Sequence, residues 1–385
     1  MELEEKYEGY KELFFKYFVN VGEPTEQGTN IPLASVSLDT LSGTMGDGTC
    51  NLADYIQYAH TTCLTGEDTS VSLADTISTL TRLCGDCYTL FTDKCQNIYF
   101  KEEPGFFLRD DVSSDMASDF NLSSVTTGYS TGIERINEDP CFSPFTSQDQ
   151  VWHLAPILRY VYENDGMEEA GTLGNEILGY VVNNGHVIYN PYYSALVHNW
   201  TYLDLSVDYS DRIDERNESL EYTVKVKRGA NNWYFAYGFK KAYEAFGGSV
   251  SGWKKFWSSL WYKPFIFLAD RVWEPIVNLL NGEVKNTSYY SMAIAGGAWY
   301  NDSYESRIVK RFNESLEEAI KDGSTDVDDL FMPQLVFLTS KTEDVDYDLL
   351  RQWLEAYPDV PTSGTVTSPI TFMYLYNWWR TLKGE

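Results

Sequence analysis

"MELEEKYEGYKELFFKYF" spans residues 1–18 and has the pattern of an amphipathic helix. Its apolar side chains recur at steps of three and four residues, the spacing of one face of an α-helix. They are Leu3, Tyr7, Tyr10, Phe14 and Tyr17. The segment is acidic where a signal peptide would be basic and then apolar, so we expect no signal peptide here.

The same periodicity returns along most of the chain. Stripes at helical spacing cross residues 52–63 and 73–91. Further helices are predicted over about 148–164, 168–183, 231–246, 252–262, 265–281, 287–300, 303–321, 327–340, 346–356 and 368–382. The intervening stretches 19–50, 96–147 and 184–230 are long and polar, and only "HVIYNP" and "LEYTVKVKR" alternate as strands would.

About a dozen helices in 385 residues match six helix pairs. The predicted fold is therefore all-α, an α/α toroid of about six helix pairs with long polar loops and one small β-hairpin. No linker divides the chain, so residues 1–385 are expected to form a single domain. An irregular helical bundle and an α-solenoid are the alternatives.

Composition narrows the classes of partner. The net charge of -28 disfavours nucleic acid, whose binding depends on Lys and Arg neutralising phosphates. No run of about 18 apolar residues is present, so no membrane span is expected. Aromatic residues make up 16% of the chain, with 29 Tyr and 11 Trp. Such side chains suit sugar-binding clefts and subunit interfaces, which points to a polysaccharide or oligosaccharide partner and also suits self-association.

Cysteine and histidine usage gives little support for a cofactor. Cys84 and Cys87 form a CxxC, but "RLCGDCYTL" continues a helical pattern and has no second CxxC. Buried thiols or a disulfide are therefore expected. The chain has only four His, and it lacks a phosphate loop and a GxGxxG, so neither a metal nor a cofactor is expected. Of the two locations open to it, we favour a secreted or cell-surface protein whose leader has been removed over a cytoplasmic one.

Three polar stretches are candidates for catalytic carboxylates. "GTMGDGTCNLADYIQYAH" places Asp47 between two glycines ahead of a helix, in a turn that exposes the carboxylate or merely caps the helix. "EEPGFFLRDDVSSD" places Asp111 next to Asp110, an arrangement suited to acid/base chemistry unless Arg109 simply pairs with these carboxylates to pin a loop.

The third stretch is "SPFTSQDQVWHLAPILRY". Asp149 falls on the first turn of a predicted helix, where the helix dipole favours an ionised carboxylate. Trp152 and His153 follow and are predicted to contact substrate. The plainer interpretation makes Asp149 a helix cap.

A fourth stretch, "KRGANNWYFAYGF", joins carboxamides to aromatic rings. Asn232, Trp233 and Tyr234 form a plausible set of glycan contacts. The aromatic residues that follow at helical spacing suit a helix core instead.

These features together resemble the α/α-toroid glycoside hydrolases and lyases. The resemblance is carried by the helix number, the Gly-Asp-Gly turn, "GFFLRDDV" and "SQDQVWHL". "DVDDLFMPQLVFLTSKT", from Asp326 to Thr342, is similar to the helix start that holds the acid/base aspartate of unsaturated uronyl hydrolases. That likeness would give the role to Asp328 or Asp329, although the stretch lies near the C-terminus and the family has it mid-chain.

The function predicted from these residues is that of a glycan-active protein. Paired carboxylates from Asp149, Asp111 and Asp47 would perform acid/base cleavage. The alternative is a non-catalytic structural or interaction protein, such as a surface, filament or virion component, that uses aromatic-rich interfaces. Convergence of two of these carboxylates in a cleft lined by Trp and Tyr would favour the enzyme.

Overall fold

The computed structural model describes part of the chain in two compact units. The described residues are 2–21, 30–46, 48–66, 72–84, 89–90, 98–99, 105, 107, 110, 112–122, 125–127, 134–136, 148–183, 302–325, 336 and 341–383. Unit 1 comprises Met1–Glu102, Phe107–Phe145 and Asp302–Glu385, and unit 2 comprises Glu103–Phe106 and Thr146–Asn301. The single domain expected over residues 1–385 stays a prediction.

The described part is mostly helical. Its α-helices are α1 (Leu3–Tyr17), α2 (Gly48–Thr65), α3 (Leu73–Leu83), α4 (Ser114–Asp119), α5 (Gln148–Asp165), α6 (Glu168–Asn183), α7 (Asp302–Asp322), α8 (Tyr347–Ala356) and α9 (Ile370–Lys383). Its strands are β1 (Ser35–Ser37), β2 (Ser42–Thr44), β3 (Thr89–Leu90), β4 (Ile98–Tyr99), β5 (Val125–Thr127), β6 (Glu134–Ile136) and β7 (Thr365–Thr367). None of the described helices is long and apolar enough to span a membrane. The helical class is confirmed in this part, and the toroidal arrangement stays a prediction.

Helix bounds follow the sequence periodicity closely. The helices predicted at 148–164, 168–183, 303–321, 346–356 and 368–382 correspond to α5 to α9. The stretches 19–50 and 96–147, which the sequence predicts to be irregular, contain short strands and α4. The hairpin expected from "HVIYNP" and "LEYTVKVKR" lies outside the described residues.

A small antiparallel sheet joins distant parts of unit 1. Its strand order is β2-β1-β7, and Val36 in the central strand pairs with Gly43 on one side and Val366 on the other. Each strand has only three residues, too few for an alternating pattern to stand out in the sequence. The sheet was therefore missed.

Aromatic packing holds α1 against the C-terminal part of unit 1. Tyr7 stacks on Tyr376 of α9 with ring centroids 4.5 Å apart, and Tyr10 lies 5.3 Å from Phe372. Tyr357 stacks on Phe372 at 4.6 Å. The apolar stripe predicted for α1 is therefore confirmed at these positions, where Tyr7 and Tyr10 are buried.

One charged residue also lies on the buried side of α1. The Lys6 ammonium donates hydrogen bonds to the carbonyl oxygens of Glu355 and Tyr357, at 2.9 and 2.5 Å. These carbonyls lie at the C-terminal end of α8, where positive charge is favoured. Burial lowers the pKa of Lys6, and the nearby Asp359 opposes that effect. Lys6 thus attaches α1 to the end of α8.

Unit 2 is described mainly as the pair α5 and α6, which pack against each other. Gly171 of α6 faces the ring of Tyr162 so closely that a β-carbon there would lie 2.6 Å from the ring. Gly105 has a φ of +88°, and a β-carbon there would lie 1.9 Å from the carbonyl oxygen of Glu176. Only glycine fits at position 105, because both the backbone conformation and the contact exclude a side chain.

Candidate functional site

The residues singled out from the sequence are only partly within the described structure. Asp149 and Trp152 lie in α5, and Asp149 is its second residue, as predicted for a first-turn carboxylate. Nothing is described of these two side chains. Five candidates lie outside the described residues: Asp47, Asp111, Asn232, Trp233 and Tyr234. Asp328 and Asp329 also lie outside them.

His153 is the one candidate whose side-chain environment is described. It is 3% exposed, and Gln150, one turn earlier on the same face, is 0% exposed. Apolar neighbours such as Val151 and Leu154 are buried as well, so this part of α5 is enclosed on several sides. The imidazole is placed as a core group, and it does not lie on an open surface where a sugar would contact it.

Helix α2 contains the most unusual polar groups of the described part. Fourteen of its eighteen residues are buried, so the helix is enclosed on nearly every side. Asp54 is 6% exposed and Gln57 is 0% exposed. Because they are three residues apart, their side chains lie one above the other on the helix surface. A carboxyl and a carboxamide thus occupy positions that core helices normally give to apolar side chains.

Helix α9 supplies the groups on the other side. It packs along α2 more extensively than any other described element. Its Tyr374 and Asn377 are also three residues apart, and both are 0% exposed. Asp54, Gln57, Tyr374 and Asn377 are called the polar stripe below.

Hydrogen bonding within the polar stripe is incomplete. The Nδ2 of Asn377 donates to the hydroxyl of Thr62 at 3.1 Å, which links α9 to α2. The Oδ1 of Asn377 and the Oδ1 of Asp54 have no hydrogen-bond partner among the described residues. The Nε2 and Oε1 atoms of Gln57 also have no hydrogen-bond partner among the described residues. Buried polar atoms without partners are uncommon in folded proteins and call for an explanation such as a ligand, ordered water or a catalytic role.

The electrostatics of the stripe follow from burial. Burial raises the pKa of Asp54 to about 8. Burial also raises the pKa of Tyr374 well above its ordinary value; the Asp54 carboxylate adds to this rise, and a hydrogen bond with Thr371 opposes it. At neutral pH Asp54 is therefore an uncharged acid that can donate a proton or a hydrogen bond. A carboxyl in this state is what general-acid catalysis requires.

Asp54 and Gln57 were missed although they lie within "GTMGDGTCNLADYIQYAH". The apolar stripe predicted for this helix consists of Leu52, Tyr55, Ile56, Ala59 and Cys63, and it does not include Asp54 or Gln57. Leu52 and Ile56 are buried, but Cys63 is exposed and the opposite face is buried too. A sequence signal existed, because Asp54 is the only Asp, Glu, Lys or Arg among the eighteen residues of α2. A helix so poor in charge is typical of full burial.

Metal and thiol chemistry gain no support from the described residues. Among them, no group of three His, Cys, Asp or Glu side chains is placed to hold a metal ion. The sequence predicts that the CxxC lies inside a helix, but α3 ends at Leu83 and Cys84 comes just after it. Cys87 lies outside the described part. Comparisons with protein-family models, curated proteins and solved structures give no match to this chain.

Proposed function

We propose that the protein is a glycan-active enzyme that cleaves glycosidic bonds by acid/base catalysis. One observation carries the proposal. Burial keeps the Asp54 carboxyl protonated up to about pH 8, and its Oδ1 has no hydrogen-bond partner among the described residues. Glycoside cleavage by two carboxyl groups requires one that is still protonated at the working pH.

The second carboxyl group must be ionised, and the sequence offers two candidates for it within unit 1. They are Asp47 and Asp111. In the proposed mechanism Asp54 donates a proton to the leaving oxygen. The ionised partner either attacks the sugar directly or activates a water molecule, according to the distance between the two groups.

The sugar contacts predicted from the sequence belong to unit 2 and are proposed for that unit by itself. Trp152, Trp233 and Tyr234 would offer aromatic faces, and Asn232 would bond to hydroxyl groups. His153 is buried, so its proposed role is to support the start of α5 from within.

The test is hydrolysis of a broad panel of oligosaccharides by the wild type and by Asp54→Asn. Loss of the general acid should lower the rate on unactivated glycans by a factor of about 10² or more. An aryl glycoside with a good leaving group needs little protonation, so its cleavage should fall far less. Asp322→Asn, at the exposed end of α7, is the matched control and should leave both rates unchanged. Equal losses on both kinds of substrate would exclude Asp54 as the acid.

A non-catalytic structural or interaction role is the second candidate. The observation that favours it is the burial of His153, which behaves as a core residue where a substrate contact had been predicted. Aromatic interfaces gain no support so far, since the exposed large apolar side chains of the described part are Val21, Leu41 and Leu64. No binding or hydrolysis across the glycan panel, together with self-association in solution, would favour this role over the enzyme.

A further inference from the structure

The sequence contains six Asn-x-Ser/Thr sequons that the proposed reaction does not use. In secreted proteins such a sequon is the acceptor for an N-linked glycan, provided that it lies at the surface. Two of the six asparagines, Asn121 and Asn313, are within the described residues. The structure therefore allows these two sequons to be compared. The other four lie outside the described part, at Asn199, Asn217, Asn286 and Asn301.

Asn121 forms the turn that ends helix α4. Its φ is +44°, in the left-handed region. The Asn121 N–H donates to the carbonyl of Ser118 at 3.2 Å, and the Leu122 N–H donates to the carbonyl of Ala117 at 2.9 Å. These two bonds make a Schellman motif, in which the left-handed position is usually glycine and sometimes asparagine. The backbone there requires only a positive φ, so it leaves the carboxamide of Asn121 without a role.

The turn is fixed to unit 1 while Asn121 itself is exposed. Leu122 is 1% exposed, and the carbonyl of Phe120 accepts a hydrogen bond of 2.9 Å from the N–H of Gly43 in β2. Asn121 between them is exposed. No described residue is hydrogen-bonded to its carboxamide. A group attached to the Nδ2 atom of Asn121 would therefore break no hydrogen bond of the described part.

The sequon at Asn313 has the opposite environment. It lies inside α7, where the Nδ2 of Asn313 donates to the carbonyl of Asp344 at 3.1 Å. The Oδ1 of Asn313 accepts a hydrogen bond of 3.0 Å from the N–H of Asp346. Ser315, the hydroxyl residue of this sequon, is 0% exposed. A glycan on Asn313 would have to displace the bond to Asp344, and the folded protein does not present the sequon as a surface loop.

We propose that Asn121 carries an N-linked oligosaccharide and that Asn313 does not. The donor is a lipid-linked oligosaccharide, and the enzyme is an oligosaccharyltransferase. The Nδ2 of Asn121 forms a bond to the anomeric carbon of the sugar, while the bond from that carbon to the lipid phosphate oxygen breaks. The oxygen keeps the electron pair, and the transferase takes up the proton lost from the amide. This inference is independent of the proposed reaction and draws on the predicted secreted or cell-surface location.

The experiment maps glycan occupancy on the full chain. The chain is secreted from a eukaryotic cell behind a cleavable leader, and a flexible Gly/Ser tag with its own sequon follows Glu385. Peptide N-glycosidase in ¹⁸O-water converts each glycan-bearing asparagine to labelled aspartate, which mass spectrometry locates. The glycan on the tag identifies the chains that met the transferase. In these chains we expect Asn121 to be labelled in most molecules and Asn313 in few.

Three variants assign the glycan to this sequon. Ser123→Ala removes the hydroxyl residue of the sequon and keeps Asn121, so the secreted protein should lose the mass of one glycan. Asn121→Gly should lose the same mass, because it removes the acceptor and keeps a residue suited to the left-handed turn. Ser124→Ala, one residue beyond the sequon, is the matched control and should keep the glycan.

Two results would overturn the inference. An unlabelled Asn121 in chains whose tag carries a glycan would show that the turn after α4 is not an acceptor. Equal labelling of Asn121 and Asn313 would show that hydrogen bonding and burial do not decide between the two sequons. Neither result depends on whether the protein cleaves glycans, so the proposed function is tested separately.

Discussion

Replacing Asp54 by asparagine should stabilise unit 1, and the gain should grow with pH. Asparagine keeps the shape of the side chain but cannot ionise. The pKa of Asp54 is raised by burial from 3.8 to about 8. The folded protein therefore holds this proton between these two pH values, whereas the unfolded chain has released it. Stability falls with rising pH wherever the folded state binds more protons, so the wild type is penalised over this range and the variant is not.

The magnitude follows from the size of the pKa difference. Each pH unit between the two pKa values costs the wild type about 1.36 kcal/mol, and the range spans about four units. The difference in unfolding free energy between variant and wild type should thus rise by about 5 kcal/mol from pH 4 to pH 8, as an order of magnitude. Any constant difference in hydrogen bonding between Asn and protonated Asp shifts the whole curve and leaves its slope unchanged.

The assay is urea denaturation followed by tryptophan fluorescence at a series of fixed pH values. Equal urea sensitivity of the two proteins is required, so that their free energies can be compared. Asp322→Asn, at the exposed end of α7, is the control for replacing a carboxylate by a carboxamide. A flat difference for Asp54→Asn between pH 4 and pH 8 would refute the reasoning, because Asp54 would then titrate alike in both states.

Three further substitutions test other parts of the structure. Gly171→Ala should destabilise unit 2 by about 1–3 kcal/mol, because the added carbon overlaps the Tyr162 ring. Thr172→Ala, on the exposed face, is the control and should cost far less. Equal shifts of the two melting temperatures would contradict the contact between Gly171 and Tyr162. Lys6→Met should lower the free energy of unfolding by about 1.5–3 kcal/mol in urea denaturation, because it removes a charged donor from two carbonyls at the end of α8. Unchanged stability would show that water replaces the Lys6 ammonium as their donor. Asp149→Asn should lower the rate of glycan cleavage by a factor on the order of 10² if the carboxylate is catalytic. The free energy of unfolding should change by about 1 kcal/mol or less. Unchanged activity would identify Asp149 as a helix cap.

The helices could be predicted because their sequences repeat the helical period over many residues. Tyr7 and Tyr10 occupy the buried face of α1 as the spacing required. The sheet could not be predicted in the same way. Val36 and Val366 come from three-residue strands far apart in the chain, and their pairing is decided by the tertiary structure.

The polar stripe could not be predicted because periodicity assumes that a helix has a solvent side. For α2 that assumption fails, and Asp54 and Gln57 are buried together with the apolar face. Lys6 was missed for a related reason. Its long side chain reaches the carbonyls that end α8, and a sequence alone does not show which helix end lies within reach.

The polar stripe lowers the stability of unit 1, because its buried atoms lack hydrogen-bond partners among the described residues. A buried polar atom without a partner costs about 1–3 kcal/mol, whereas apolar side chains of similar size would fill the same space with little cost or a net gain. Leu52 and Ile56 show that α2 already uses such side chains elsewhere on its surface. Gln57→Leu should therefore raise the stability of unit 1 in urea denaturation. A loss of stability would show instead that the Gln57 amide is satisfied in the folded protein, for example by ordered water.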